Sequence, residues 1–443
     1  MERYSSYKDS GVPWVGEIPV EWGIRQLGRD YEVISGATPS TGDTENWDGD
    51  IPWITPADMG SEKYITGGRR NITIKGMDSC GTRMLPINSV IVSNRAPIGL
   101  VVITASELCT NQGCKGLVLG SAGNSEFLYY YLSSVKDALD SYGQGTTFKE
   151  LSRTSLMTFP YPVPSVKEQN AIVDYLDSKT ASIDNIIQRS RKSIKRLCEY
   201  RQSLINEAVT KGLNPNVPMK DSGVPWIGEI PAAWRVERLR FLGTLSGGGA
   251  DKKVREGEAL FHAAHYMNVY SAASKTLNPA TFLKVSLPQE KAKALKLDVG
   301  DVLFTSSSET PEDIGHAAVV TEPLPEDSVY GYHLVRFRPA SGVYDPSFER
   351  YFFESEAART WLQYRANGIT RYGVIGIDYS DYPALVPPID EQRLIANYLD
   401  EKASAIDAAI QGAEESIVRL REYRQSLINE AVTGKIKVPG VEE

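Results

Sequence analysis

The strongest constraint on this chain is that it states one plan twice. Lys8 to Pro19 reads K-D-S-G-V-P-W-V-G-E-I-P, and Lys220 to Pro231 repeats it at 11 of 12 positions with an offset of 212. Trp22 and Trp234 extend the match. A second block, Glu168 to Thr210, returns as Glu391 to Thr433 at an offset of 223, with 27 of 43 positions identical. Its last twelve residues, Glu199 to Thr210, recur unchanged as Glu422 to Thr433. Solenoid repeats have periods of about 20–50 residues, so a period above 200 means that each unit holds a whole domain. Between the repeated blocks, residues 25–160 and 237–383 share no comparable run and differ in length by 11 residues. A framework is kept while its contents vary.

The second block reads as a long helix with a seam. Residues 168–210 contain no Pro or Gly, and small or apolar residues recur at alternating steps of four and three: Leu176, Thr180, Ile183, Ile187, Ser190, Ile194, Leu197, Arg201, Leu204, Ala208. The repeat gives Leu399, Ala403, Ile406, Ile410, Ala413, Ile417, Leu420, Arg424, Leu427, Ala431. This is the stripe of a coiled coil. Pro164 and Pro387-Pro388 stand where a helix can begin, and Gly212 and Gly434 stand where a left-handed cap can end one. At 1.5 Å per residue each helix should run ~65 Å. A domain of the intervening size has a radius of gyration near ~16 Å, too small to carry the chain back to a parallel start. The expectation is therefore an antiparallel pair with a pseudo-two-fold relation between halves. A helical hairpin used only as a spacer or dimerisation device is the plainer alternative.

The regions between hold Gly- and Pro-punctuated strands such as Ser89–Ser93, Gly99–Thr104 and His333–Phe337, with helical stretches at Ser125–Leu139 and Pro346–Tyr364. They are expected to be mixed α/β (α+β) domains with antiparallel sheets. The expected division is residues 1–165 and 212–388 as the variable domains, 166–211 and 389–434 as the helices, and 435–443 as a tail. Composition, 41% hydrophobic and 23% charged over 443 residues, excludes wholesale disorder and a pure rod. No apolar run is long enough to span a membrane and none marks a secretory start, so a cytoplasmic location is expected. Cys80, Cys109, Cys114 and Cys198 form no metal-binding spacing and read as reduced thiols. Net charge is −8, yet residues 166–211 carry nine Lys and Arg against six Asp and Glu. The run Arg189 to Arg196 is either a solvated helix face or a contact for phosphates or an acidic partner.

Several phrases set inside this frame resemble the specificity (S) subunits of Type I restriction–modification systems. Ser35-Gly-Ala-Thr38-Pro39 and Trp47 to Asp58 look like the opening of the family's first target-recognition domain. Arg95-Ala-Pro97-Ile-Gly99 with Asn111-Gln112-Gly113 looks like its middle. Gly145-Thr146-Thr147, Phe159-Pro160 and Pro164 to Gln169 look like its exit into the helix, and Gly368-Ile-Thr370, Pro387-Pro388 and Glu391-Gln392 repeat that exit. The second domain lacks the opening phrase and has Ser246-Gly-Gly-Gly249 instead. The resemblance implies a non-catalytic subunit that reads double-stranded DNA and binds two adenine-methylating modification subunits. Through them it would join restriction motor subunits. The S-adenosylmethionine site would lie on the partner, with no cofactor on this chain and no metal. No methyltransferase motif and no phosphate loop is present, and the four His all lie in one half without counterparts, so catalysis is not expected.

Two unlike readers held in inverted orientation should recognise a two-part, asymmetric target whose unread gap is set by the rod, about one ~34 Å turn between half-sites. Base readout would fall to Arg, Asn and Gln, and phosphate contact to Lys and hydroxyls. The candidates in the first domain are Arg69, Arg70, Lys75, Arg83, Asn94, Arg95, Asn111, Gln112, Lys115, Gln144, Thr146 and Thr147. In the second they are Lys252, Lys253, Arg255, His262, His265, Arg336, Arg338, Arg365, Asn367, Thr370 and Arg371. The unchanged twelve-residue segments also repeat positions a seam does not need, namely Tyr200, Gln202, Asn206 and Glu207 with Tyr423, Gln425, Asn429 and Glu430. These are expected to face outward and dock the same partner at both ends, unless the duplication is merely recent. Trp14, Trp22, Trp226 and Trp234 belong to the frame and are expected to anchor packing rather than stack on bases. The rival from another class is a two-headed protein-binding scaffold.

Overall fold

The structure, a computed structural model, describes residues 2–120, 123–145, 149–272 and 275–441. The chain divides into two compact units: residues 1–190 with 414–443, and residues 191–413. The first therefore joins the two ends of the chain, and Glu2 forms a β-bridge with Lys437. Two helices dominate, Val166–Lys211 and Ile389–Val432, and each contributes one part to each unit.

In the first unit a five-stranded sheet runs in the order 31–35, 114–119, 90–93, 101–104, 64–65, antiparallel except for the last pair. Its central strand, Val90-Ile-Val-Ser93, is buried throughout, as expected of an unbroken apolar run covered on both faces. A smaller sheet places Trp47–Ile54 between Cys109–Thr110 and Arg70–Ile72, over a core of Trp47, Ile51, Trp53, Ile72 and Cys109. Burial pushes the Cys109 and Cys114 thiols up to about 11 and about 12, so neither is a ready nucleophile. The second unit has a four-stranded antiparallel sheet (243–248, 334–339, 302–305, 317–319) and a three-stranded one (283–287, 259–264, 328–330). Helices Pro346–Glu354 and Glu356–Arg365 accompany them.

The repeated frame is visible strand for strand. Tyr7–Asp9 pairs with Glu17–Pro19, and Met219–Asp221 with Glu229–Pro231, in the same register. Gly23–Gln26 pairs with Pro160–Val163, as Arg235–Arg238 does with Pro383–Val386. Trp22 and Trp234 are 1% and 0% exposed. The Trp14 indole donates to the Tyr131 hydroxyl at 3.2 Å, and the Trp226 indole to the Ala357 carbonyl at 3.0 Å. The frame tryptophans are packing anchors.

Both long helices close at a glycine with positive φ, +73° at Gly212 and +71° at Gly434, the conformation that costs a glycine least. Packing adds a second requirement. A Cβ on Gly434 would lie 2.4 Å from Pro19, and one on Gly212 would lie 3.3 Å from the Trp234 ring and 2.9 Å from the Glu391 carboxylate. Every residue of both expected seams is buried or half-buried. In the first unit Arg424 meets Asp184 at 3.3 Å, while Tyr175 lies near enough to Glu430 to feel its charge. In the second, Arg201 meets Asp407 at 3.0 Å, and Glu207 and Ala208 share a cavity with Tyr398. In each unit, then, the two helix segments run in opposite senses. Among the described residues no helix is long and apolar enough to cross a membrane.

One core residue defies composition-based expectation. Glu349 is 0% exposed within the aromatic core of the second unit, and neither carboxyl oxygen has a hydrogen-bond partner. Burial, with Asp301 and Asp345 nearby, raises its pKa well above the ordinary carboxylate range, so it is neutral in the fold. The native state therefore binds a proton that the unfolded chain releases above about pH 4.3. Stability should fall by up to ~1.4 kcal/mol per pH unit from that point up to the raised pKa of the folded state, where the slope ends. Glu349→Gln should remove this slope: its melting temperature should exceed the wild type's by a margin that widens from pH 5 to pH 8 in thermal scans. A constant margin would refute the assignment.

Candidate nucleic-acid interface

Six of the residues expected to read DNA converge at one end of the first unit's central strand. Past Ser93 the backbone of Asn94 is fixed on both sides: its N–H donates to the Gly113 carbonyl and its carbonyl accepts from the Leu151 N–H, both at 2.9 Å. Its side chain donates to Glu150 at 2.9 Å. Arg95 reaches the other Glu150 oxygen through Nε at 3.1 Å and Nη2 at 3.0 Å. Gln144 and Glu150 exchange both backbone hydrogen bonds at 2.9 Å, closing a hairpin-like loop. Lys115, 6% exposed on the neighbouring strand, sits beside this group. Burial lowers its pKa, with Glu150 acting against and Arg95 with that shift. Asn111 accepts from the Gly113 N–H at 2.9 Å, and the exposed Gln112 accepts from the Thr38 hydroxyl. Asn94 and Lys115, 0% and 6% exposed, are held inside the fold, which corrects the expectation that they reach DNA; Arg95, Gln112 and Gln144 are exposed and carry guanidinium and amide groups able to make paired hydrogen bonds to base edges. Thr146 and Thr147 lie outside the described residues.

The remaining cations of this domain are engaged elsewhere. Arg69 is 3.8 Å from Asp58 and its side chain is 81% exposed. Arg70 stacks over Trp47 at 3.6 Å. Lys75 pairs with Asp43 at 3.3 Å and with Glu45, and Arg83 pairs with Glu32 at 2.7 Å. Exposed pairs of this kind are worth about 0–1 kcal/mol, so a phosphate can replace the carboxylate at little cost. The sequence did not disclose these carboxylates, above all Glu150, because Arg95 and Glu150 are 55 residues apart and only folding brings them together.

In the second unit three expectations are corrected. Arg338 is bound to Asp301 through two 2.6 Å contacts, to Asp298 at 2.9 Å and to the Lys296 carbonyl at 2.9 Å. Arg336 is 9% exposed and donates to the Lys296 carbonyl at 2.7 Å. Asp301 is itself fully buried, and releasing its partner would strand a charge. These arginines belong to the fold and are not free to reach a duplex. His265 is likewise 3% exposed, and burial lowers its pKa. His262 pairs with Asp327 at 2.6 Å. Lys252, Lys253 and Arg255 are exposed around Asp251 and Glu258. Arg365 pairs with Asp378 at 2.7 Å and lies over Trp361. Asn367, Thr370 and Arg371 stand exposed on a projecting loop.

The repeated helix residues divide. Tyr200 and Tyr423 are 59% and 49% exposed, and Glu207 is exposed. Asn206 corrects the outward-facing expectation. Its carbonyl oxygen accepts from the Glu356 N–H at 2.7 Å and its amide approaches the Glu356 carboxylate, so it receives the start of helix Glu356–Arg365. Gln202 donates to Asn206 at 3.2 Å. Gln425 donates to the Ser133 carbonyl at 3.4 Å, Glu430 accepts from Ser426 at 2.8 Å, and Asn429 is half-buried. Part of the unchanged segment therefore contacts the chain's own domains: Asn206 meets helix Glu356–Arg365 and Gln425 meets Ser133.

Comparison with known proteins agrees with this arrangement. Residues 19–196 match the family described as the Type I restriction modification DNA specificity domain. The type I restriction enzyme MjaIX specificity subunit of Methanocaldococcus jannaschii is 34% identical over 248 residues, 54% of this chain and 56% of that protein. The EcoR124I/EcoR124II specificity subunit of Escherichia coli is 28% identical over 217 residues, 46% of this chain and 52% of the relative. The chain thus spans about half the length of these relatives. The HsdS subunit from Thermoanaerobacter tengcongensis shares the fold with a TM-score of 0.55 and 15% identity, covering 95% of this chain and 98% of that one. A chain from a structure of a type I R-M system aligns with a TM-score of 0.72 at 15% identity, over 95% of this chain and 99% of its own length. Mixed α/β construction with antiparallel sheets and a long helix is common to them. Residues 19–196 thus match the Type I restriction modification DNA specificity domain, and the chain is similar in sequence and in fold to specificity subunits of type I restriction–modification systems.

Proposed function

We propose that this chain is the non-catalytic DNA-reading subunit of a Type I complex, with one half of an asymmetric two-part target assigned to each variable domain. The observation that carries the reading is the reciprocal helix pairing, Arg201 with Asp407 and Arg424 with Asp184. An offset of 223 converts one pair into the other. Two unlike readers joined through such a rod would face DNA in opposite orientations, and helix length would measure the unread gap. Two adenine methyltransferase subunits would dock on the repeated framework, supply S-adenosylmethionine and bring restriction subunits. This chain would act in the cytoplasm and hold no cofactor of its own. The target-recognition domains are residues 1–165 and 212–388, with 166–211 and 389–434 as the spacer helices and 435–443 as the tail.

The charge balance supports a division of labour. With net charge −8 and several of its candidate DNA-binding cations paired to carboxylates, the lone chain has little to gain from counterion release. Expected binding of the chain alone is weak and salt-sensitive, and becomes tight with methyltransferase present; tight selective binding by the isolated chain in a gel shift contradicts this division. Mapping methylated adenines in cells that express the chain with its methyltransferase should give a bipartite asymmetric motif, whereas an uninterrupted motif or none refutes the reading. Inserting one heptad into both long helices should lengthen the gap between half-sites while leaving the half-sites unchanged.

Glu150 provides a local test. Glu150→Gln removes the charge that holds Arg95 and Asn94. Release of Arg95 should raise affinity for unrelated duplex about two- to fivefold, the range of an exposed ion pair, and degrade discrimination in one half-site only. Competition binding against mismatched targets measures both effects.

A further inference from the structure

We infer that Ile369 is a base-reading residue that contacts the methyl group of a thymine in the major groove. The inference rests on the proposed DNA-reading role and assigns a specific contact within it.

Ile369 is 97% exposed. It is the most exposed large apolar side chain among the described residues, and it is not on a slack segment. Asn367 and Gly373 exchange both backbone hydrogen bonds, at 3.0 and 2.9 Å. Tyr372–Gly373 pairs in turn with Ser307–Ser308, and the Val374 N–H donates to the Ser306 carbonyl at 3.0 Å. Within the loop the Asn367 amide donates to the Arg365 carbonyl at 3.0 Å. A Cβ on Gly368 would lie 2.0 Å from the Arg371 carbonyl oxygen, so the turn is tight enough to admit only glycine there. The loop is thus a braced projection with an isoleucine at its tip.

The same closing pair of backbone hydrogen bonds occurs in the first unit. Gln144 and Glu150 exchange backbone hydrogen bonds as Asn367 and Gly373 do, and adding 223 to 144 and 150 gives 367 and 373. The bracing and the glycine, Gly145 or Gly368, are repeated, while the residue after the glycine changes from Thr146 to Ile369. A shared backbone closure that carries different residues is what two readers of different sequences require. The occupant follows from charge. From Tyr364 to Gly373 there are two arginines and no acidic residue, and Thr370 and Arg371 are exposed beside the tip, which suits a polyanion. An aliphatic side chain carried into a duplex by cationic neighbours finds one apolar group on the base edges of the major groove, the thymine C5 methyl.

The test uses the full chain co-expressed with its methyltransferase, and duplexes of the target mapped by methylation sequencing, each with one thymine replaced by uracil so that only the methyl is lost. Wild type should bind one such duplex about five- to tenfold more weakly than the parent. Ile369→Ala should bind the parent more weakly by a similar factor and no longer distinguish the two, at unchanged melting temperature. Indifference of the wild type to every replacement, or undiminished discrimination by Ile369→Ala, overturns the inference while leaving the DNA-reading role intact. Loss of methyltransferase co-purification in Ile369→Ala with DNA contacts unchanged also overturns it, by making the tip a protein-docking element. Absence of any selective binding by the wild-type complex removes the proposed function together with the inference.

Discussion

The arrangement depends on two half-shielded charge contacts between the long helices. Arg201 lies 3.0 Å from Asp407 and 2.6 Å from Glu354, with only 16% of its side chain exposed. Arg424 lies 3.3 Å from Asp184. A hydrophobic seam alone tolerates slippage by a heptad, because leucine and isoleucine positions are interchangeable at modest cost. The paired guanidiniums add a preference for one register, worth about 0–1 kcal/mol each because the Asp407 and Asp184 side chains are 49% and 56% exposed. The pairs therefore favour one register and sense, adding to the association that the apolar stripe provides. A second anchor repeats by the same offset: Asp177 accepts from Lys63 and Tyr130, and Asp400 from Arg350 and Tyr351. Each ties a variable domain to the helix that follows it.

These ties explain why the variable domains can diverge. The contacts to the frame are made by a hairpin, a tryptophan, one glycine and a few charged residues at the helix ends. The sheets beyond them differ in strand number and order, yet enter and leave through the same pair of strands. A domain attached in this way can change its reading surface without disturbing the helix on which it stands.

An acidic chain proposed to read DNA also becomes intelligible at the level of pairs. Arg95, Arg83, Lys75 and Arg69 each face a carboxylate, which keeps them ordered and suppresses indiscriminate attraction to phosphate. Exchange of a carboxylate for a nucleic-acid group is then close to isoenergetic at exposed sites.

The duplication, the two helices, their seam and their terminal glycines were all legible in the amino-acid sequence, because each is a local or periodic signal: identity at an offset, steps of three and four, a residue that tolerates positive φ. The residues that converge around Glu150 were legible as types but not as a cluster. Where prediction failed, the reason is non-local in each case. Arg336 and Arg338 look like surface cations until Asp301 and the Lys296 carbonyl fold against them. Asn206 looks outward on a helical wheel until helix Glu356–Arg365 begins on top of it. The sequence by itself determined that there are two copies of one framework and what each helix presents along its stripe. Only the tertiary structure decided which charges are consumed in holding the fold and which are left to face a partner, because desolvation and pairing depend on neighbours that are distant along the chain.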